Sequence, residues 1–134
     1  MYGAEIFPDI ELLLTGWLRT VLPGRPEAYA SGVRVSNRLP ATRPPRAVVV
    51  RRDGGRRASH VTEAVPVAIN VWADTEQDAA NLARLISALI LSQAPPPIEH
   101  VEGGGFSAIA DESGAFRRFG MFELTVTSET LVMP

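Results

Sequence analysis

The chain has 134 residues, 46% of them hydrophobic, a formal net charge of -2 and no cysteine. That length suits one domain, residues 1–134, whose core buries about two-thirds of the unfolded surface, and the charge excludes a protein that coats nucleic acid through an overall basic surface. Without cysteine there can be no disulfide, thiol nucleophile or cysteine-bound zinc.

The opening run MYGAEIFPDIE has no basic stretch leading into an apolar one. The segment from Leu82 to Leu91 is interrupted by Arg84 and is far shorter than the roughly 18 residues a membrane span needs, so a soluble intracellular protein with no membrane contact is expected. Pro8 suits the first helical position, and Ile10, Leu13, Leu14, Trp17, Leu18 and Val21 mark an amphipathic stripe that ends at Pro23-Gly24. Gly16 within it costs about 1 kcal/mol relative to alanine, which implies either close packing or a tolerated loss. Val33 and Val35 begin a short strand, followed by a proline-rich loop from Pro40 to Pro45.

Next comes AVVVRR, from Ala47 to Arg52, and then Asp53-Gly54-Gly55, whose glycines supply the positive φ of a tight hairpin turn. The run VTEAVPVAINVWA alternates, with Val61, Glu63, Val65, Val67, Ile69 and Val71 on one face, as in a half-buried antiparallel strand. Pro66 cannot donate to a ladder and belongs at an edge or a bulge. Asp74 with Gln77 reads as a capping box for a second helix, whose apolar face is Ala79, Leu82, Ala83, Ile86, Leu89 and Ile90 and which stops at Pro95-Pro96-Pro97. Two strand segments, Ile98 to Glu102 and Phe106 to Asp111, meet at a bulge or bend through Gly103-Gly104-Gly105. After a turn at Ser113-Gly114, a last strand from about Phe116 to Ser128 points Phe122, Leu124 and Val126 to one side and Phe119, Met121, Glu123 and Thr125 to the other. The fold predicted is α+β: a mixed, mainly antiparallel sheet packed by two amphipathic helices, with a protruding β-hairpin.

Chemistry is sparse. The glycine triplet has no following GK[ST] and opens a strand, where phosphate binding would need a helix N-terminus. His60 and His100 lack partners at metal-ligand spacing, no serine sits in a GxSxG elbow, and Asp74, Glu76 and Asp78 are accounted for by capping and the helix dipole. No catalytic, cofactor or metal residue is assigned. Charge placement is more informative: Arg51, Arg52, Arg56 and Arg57 flank the glycine turn, Arg43 and Arg46 precede it, and Arg117-Arg118 opens the last strand. Guanidinium groups suit carboxylates or phosphates, so this cluster reads as a solvated tip, as salt bridges between subunits, or as DNA contacts without an interleaved aromatic.

The order of these elements resembles the tail terminator, or tail completion, proteins of long-tailed bacteriophages, especially those infecting actinobacteria. The stretches that carry the resemblance are DIELLLTGWLRTVL, VVVRRDGG, VAINVWADT with EQDAANLARLISALIL, and RRFGMFELTVTSE, nearly the whole chain. The resemblance implies a non-enzymatic virion protein, assembled in the host cytoplasm. It implies a homohexameric ring at the head-proximal end of the tail tube, which ends tube polymerisation and docks head-completion or connector proteins. DNA would pass through the lumen. In such rings hairpins and loops make the contacts, here Arg51 to Arg57, Arg38 to Arg46 and the tail from Glu129 to Pro134. The alternatives are a neighbouring head-tail joining protein, a small nucleic-acid-binding module built on the arginine hairpin, and an enzyme with a scattered site.

Overall fold

Five apolar side chains in alternation, Val65, Val67, Ile69, Val71 and Ala73, are fully buried along one strand, and the rest of the molecule is arranged around it. The computed structural model describes residues 3–132. In chain order the elements are β1 (Glu5–Ile6), α1 (Ile10–Val21), β2 (Arg34–Ser36), β3 (Ala47–Arg52), β4 (Arg56–Arg57), β5 (Thr62–Ala73), α2 (Glu76–Gln93), β6 (Ile98–Ile109), β7 (Phe116–Thr127) and β8 (Glu129–Thr130), with two short 3-10 turns between α1 and β2. The class is α+β, with a mixed and mostly antiparallel sheet.

The main sheet runs β2-β3-β5-β7-β6, and β4 also pairs with β5. Among the described residues, only β2 and β3 are parallel. Both helices lie on one face. The stripe of α1 buries Ile10, Leu14 and Leu18 while Leu13, Trp17 and Val21 pack against the same core, and all six residues expected to form the inner face of α2 are buried. Val48 and Val50 from β3 and Phe122, Leu124 and Val126 from β7 complete that layer. Removing such side chains from water, at about 25 cal/mol per Å² of apolar area, is the main force holding helices to sheet. Among the described residues, the opposite face carries no helix and only a small cluster of Ala47, Val49 and Trp72 with Ala115. No helix among the described residues is long and apolar enough to cross a membrane.

Four expectations are corrected. Helix α1 is capped by Asp9, whose side chain accepts from Leu12 N, so Pro8 precedes the cap. Helix α2 is capped by Thr75 in place of Asp74: Thr75 is extended and its Oγ1 accepts from Asp78 N at 3.1 Å, while Gln77 turns to Asn81. Strand β2 begins at Arg34, one residue later than the valine pattern suggests.

The largest correction concerns Asp53-Gly54-Gly55, where the chain does not reverse. Arg52 pairs with Val67 and Arg56 with Ala64, so β3 and β4 follow the same edge of β5 and the glycines form a bulge between them. Pro66 is the cause. It has no N–H to give, its carbonyl accepts from Asp53 N at 2.9 Å, and the ladder opens where a donor is missing. Positive φ at Gly54 and Gly55 lets the extra residue loop out. The hairpin turns at residues 58–61, where Ala58 N and Ser59 N donate to Thr62 O and Ser59 Oγ accepts from Val61 N and Thr62 N.

Candidate interaction surface

The eight arginines singled out above fall into three places. Arg43, Arg46 and Arg118 surround the first turn of α2. Arg43 Nη2 lies 3.9 Å from Asp74 Oδ1, Arg46 Nη2 3.4 Å from Asp78 Oδ2, and Arg118 Nη2 3.8 Å from Glu76 Oε1. Loose surface pairs of this kind contribute about 0–1 kcal/mol each. Arg46 is held more firmly, because its Nη1 also donates to the carbonyls of Ala28 at 3.0 Å and Ser31 at 2.8 Å. These three acids, which in sequence resemble a cation site, each face a guanidinium. No group of three or more histidines and carboxylates among the described residues is placed to hold a metal ion.

Arg51, Arg52, Arg56 and Arg57 line the bulged edge. Arg52 Nη2 pairs with Glu63 Oε2 at 3.1 Å and its Nε donates to Gly54 O at 2.7 Å, which braces the bulge. Arg51 Nε is 3.6 Å from Glu11 Oε2. The Arg57 guanidinium lies 5.1 Å from the centre of the Phe7 ring, within the range of a cation–π contact. The Arg56 side chain is exposed and makes no ion pair, hydrogen bond or ring contact with the described residues.

On the helix-free face, Arg117 Nε donates to Asn70 Oδ1 at 2.9 Å and its guanidinium lies 5.2 Å from the centre of the Trp72 ring. Trp72 Nε1 in turn donates to Asp111 Oδ1 at 3.1 Å. The Ser113 hydroxyl, and next the Trp72 indole, hold the Asp111 carboxyl below its ordinary range. Seven of the eight arginines are thus engaged within their own subunit, which sequence spacing could not show because most partners lie far along the chain.

A groove of about 470 Å³ between α2 and β6 is lined by Ala83, Arg84, Ser87, Gly104, Phe106 and Arg118 among others. Its serine hydroxyl donates to Gly104 O at 2.7 Å, and no carboxylate or histidine lines it to act as a general base. The glycine triplet sits inside strand β6, where Gly103 and Gly104 have positive φ and the register to β7 shifts, so it is a bulge as expected.

The feature that sequence reading missed is β6 itself. It is one strand of 12 residues, longer than either expected segment, and among the described residues no strand lies beyond it in the sheet. Every second residue of such an edge turns its N–H and C=O away from the neighbouring strand. The chain ends also pair: β1 and β8 form a two-stranded ribbon, Leu131 N donates to Ala4 O, and Ile6, Leu131 and Val132 are exposed. Of the expected contact tail from Glu129 to Pro134, Met133 and Pro134 lie outside the described residues. No protein-family model and no curated protein matches this chain.

Proposed function

We propose that this chain is a structural virion protein, a tail terminator that assembles as a homohexameric ring on the head-proximal end of a phage tail tube. There it ends tube polymerisation and presents a docking surface to head-completion or connector proteins. The observation that carries this reading is the open edge of β6, with 12 residues in the strand and no strand beyond it among the described residues. Register shifts between Ile98 and His100 and between Gly103 and Phe106 interrupt this edge without covering it, and its outward N–H and C=O groups are a template for another chain. A subunit whose work is assembly has a use for it.

Two further observations support the reading. The residues around the hairpin turn at 58–61 are exposed and stand near the paired chain ends, where Ser128 N donates to Val61 O, so reaching elements are concentrated at one end of the subunit. Five of the eight arginines singled out in the sequence pair with acids of the same chain, which weighs against the nucleic-acid-binding alternative.

Electron microscopy of the purified protein, alone and with polymerising tail tubes, tests the proposal. Closed rings and tubes arrested at one length are the expected result. A particle that stays single in both conditions, with tube growth unaffected, would refute it.

A further inference from the structure

Charge is divided between the two sides of the main sheet. The segment from Arg34 to Arg57, which supplies β2, β3 and β4, contains eight arginines and one aspartate. The segment from Ile98 to Ala115, which supplies β6 and its turn, contains four acids and no arginine. Strands β5 and β7 lie between them.

Among the described residues, charges without an ion-pair partner follow this division in part, Asp53 on the arginine side and Arg84 in the groove beside β6 departing from it. Arg34, Arg38 and Arg56 have no acidic partner among the described residues, and Glu99, Glu112 and Glu123 have no basic one. Glu102 stands directly opposite Glu123 in the β6–β7 ladder, and its Oε1 lies 3.1 Å from His100 Nε2. Like charges opposite each other in a ladder are unfavourable unless a cation joins them.

The two edges also differ in their backbone. On the arginine side, β2 has three residues, Val35 O accepts from Arg19 Nε at 2.9 Å, and Arg52 N donates to Glu11 Oε2 at 2.7 Å, so side chains of α1 occupy that edge. On the acidic side, β6 pairs with β7 along one edge and has no strand along the other among the described residues. An Arg side chain brings five N–H donors and no acceptor, which suits both exposed carboxylates and outward carbonyls.

We infer that the β6 edge of one copy, through Glu99 and Glu102, docks against the arginine-bearing opposite edge of a second copy, through Arg34 and Arg38, in a head-to-tail contact. The inference rests on the assembly reading and specifies its interface. A two-fold contact of β6 with β6 would bring two edges that both carry Glu99 and Glu102 together, so like-charge repulsion opposes it. A contact between two different edges is heterologous, and it closes into a ring when the rotation per subunit fits.

A charge exchange tests this. Glu99→Arg with Glu102→Arg should abolish assembly measured by sedimentation velocity, and so should Arg34→Glu with Arg38→Glu, while the thermal melt of each exposed-site variant stays that of the parent. Mixing the two variants, or combining all four substitutions in one chain, should restore assembly, because each reversed edge then meets its complement. Unaltered assembly in either double variant, or no recovery in folded four-fold protein, overturns the interface and leaves the ring proposal standing. A parent protein that never associates, even beside tail tubes, defeats the ring proposal and the interface with it. Should a reversal unfold the chain, Glu99→Gln with Glu102→Gln is expected to weaken association about tenfold; unchanged association in that variant overturns the interface.

Discussion

Glu11 Oε2 accepts the backbone N–H of Arg52 at 2.7 Å, so a side chain from α1 occupies the place a strand neighbour would take at the end of β3. The other oxygen accepts from Asn37 Nδ2 at 3.1 Å, and Arg51 Nε lies 3.6 Å from Oε2. One carboxylate therefore ties a helix, a loop and a strand end together. It also blocks that stretch of the sheet edge, in contrast to β6.

Glu11→Ala should destabilise the protein by about 1–3 kcal/mol, since a half-covered N–H and two side-chain donors lose a charged acceptor at once. Glu11→Gln, which keeps an acceptor oxygen, should lose less. Urea unfolding of both variants checks the order; equal loss in the two would mean that packing, and not the hydrogen bonds, carries the effect.

Gly16 lies within α1, and a Cβ built there meets nothing within 4 Å. Of the two readings of this glycine, close packing is therefore excluded and a tolerated helix cost remains. Gly16→Ala should raise stability by up to about 1 kcal/mol, read as a higher midpoint in urea.

Helix faces and strand alternation were legible because they depend on periods of 3.6 and 2, which six or seven neighbouring residues suffice to express. The inner face of α2 and the alternation of Val65 to Val71 are set in this way. The Asp53-Gly54-Gly55 segment was misread because two adjacent glycines with positive φ serve a tight turn and a bulge equally well. What decides between them is Pro66 on the opposing strand, and the register that brings it there is not local. The β1–β8 pairing, with two residues on each side and most of the chain between them, leaves no periodic trace. The arginine partners were hidden for the same reason: Arg117 and Asn70 are 47 positions apart.

The glycines of β6 differ in how replaceable they are. Gly103 has φ 96°, and a Cβ there would stand 2.5 Å from Met121 O, whereas Gly105 has an ordinary backbone and open space around it. Gly103→Ala should cost about 1–3 kcal/mol through backbone strain and the close approach. Gly105→Ala should stay within about 0.5 kcal/mol of the parent. Thermal denaturation separates the two, and equal effects would mean that the bulge relaxes to accept a side chain.

Asp111 gives the molecule an acid limb that tryptophan fluorescence can follow. Its carboxylate accepts from the Ser113 hydroxyl and from Trp72 Nε1, and both hold its pKa below the ordinary value. The unfolded chain therefore binds a proton at Asp111 more readily than the folded chain does. Stability from this group is fully present above the ordinary aspartate pKa, about 3.9, and is lost as pH falls through the lowered folded value. The chain has two tryptophans, so a Trp17→Phe background leaves Trp72 as the only reporter. In that background Trp72 emission should shift below the ordinary aspartate range while the fold persists, and Asp111→Asn should abolish the shift. A transition that survives Asp111→Asn would assign it to another group.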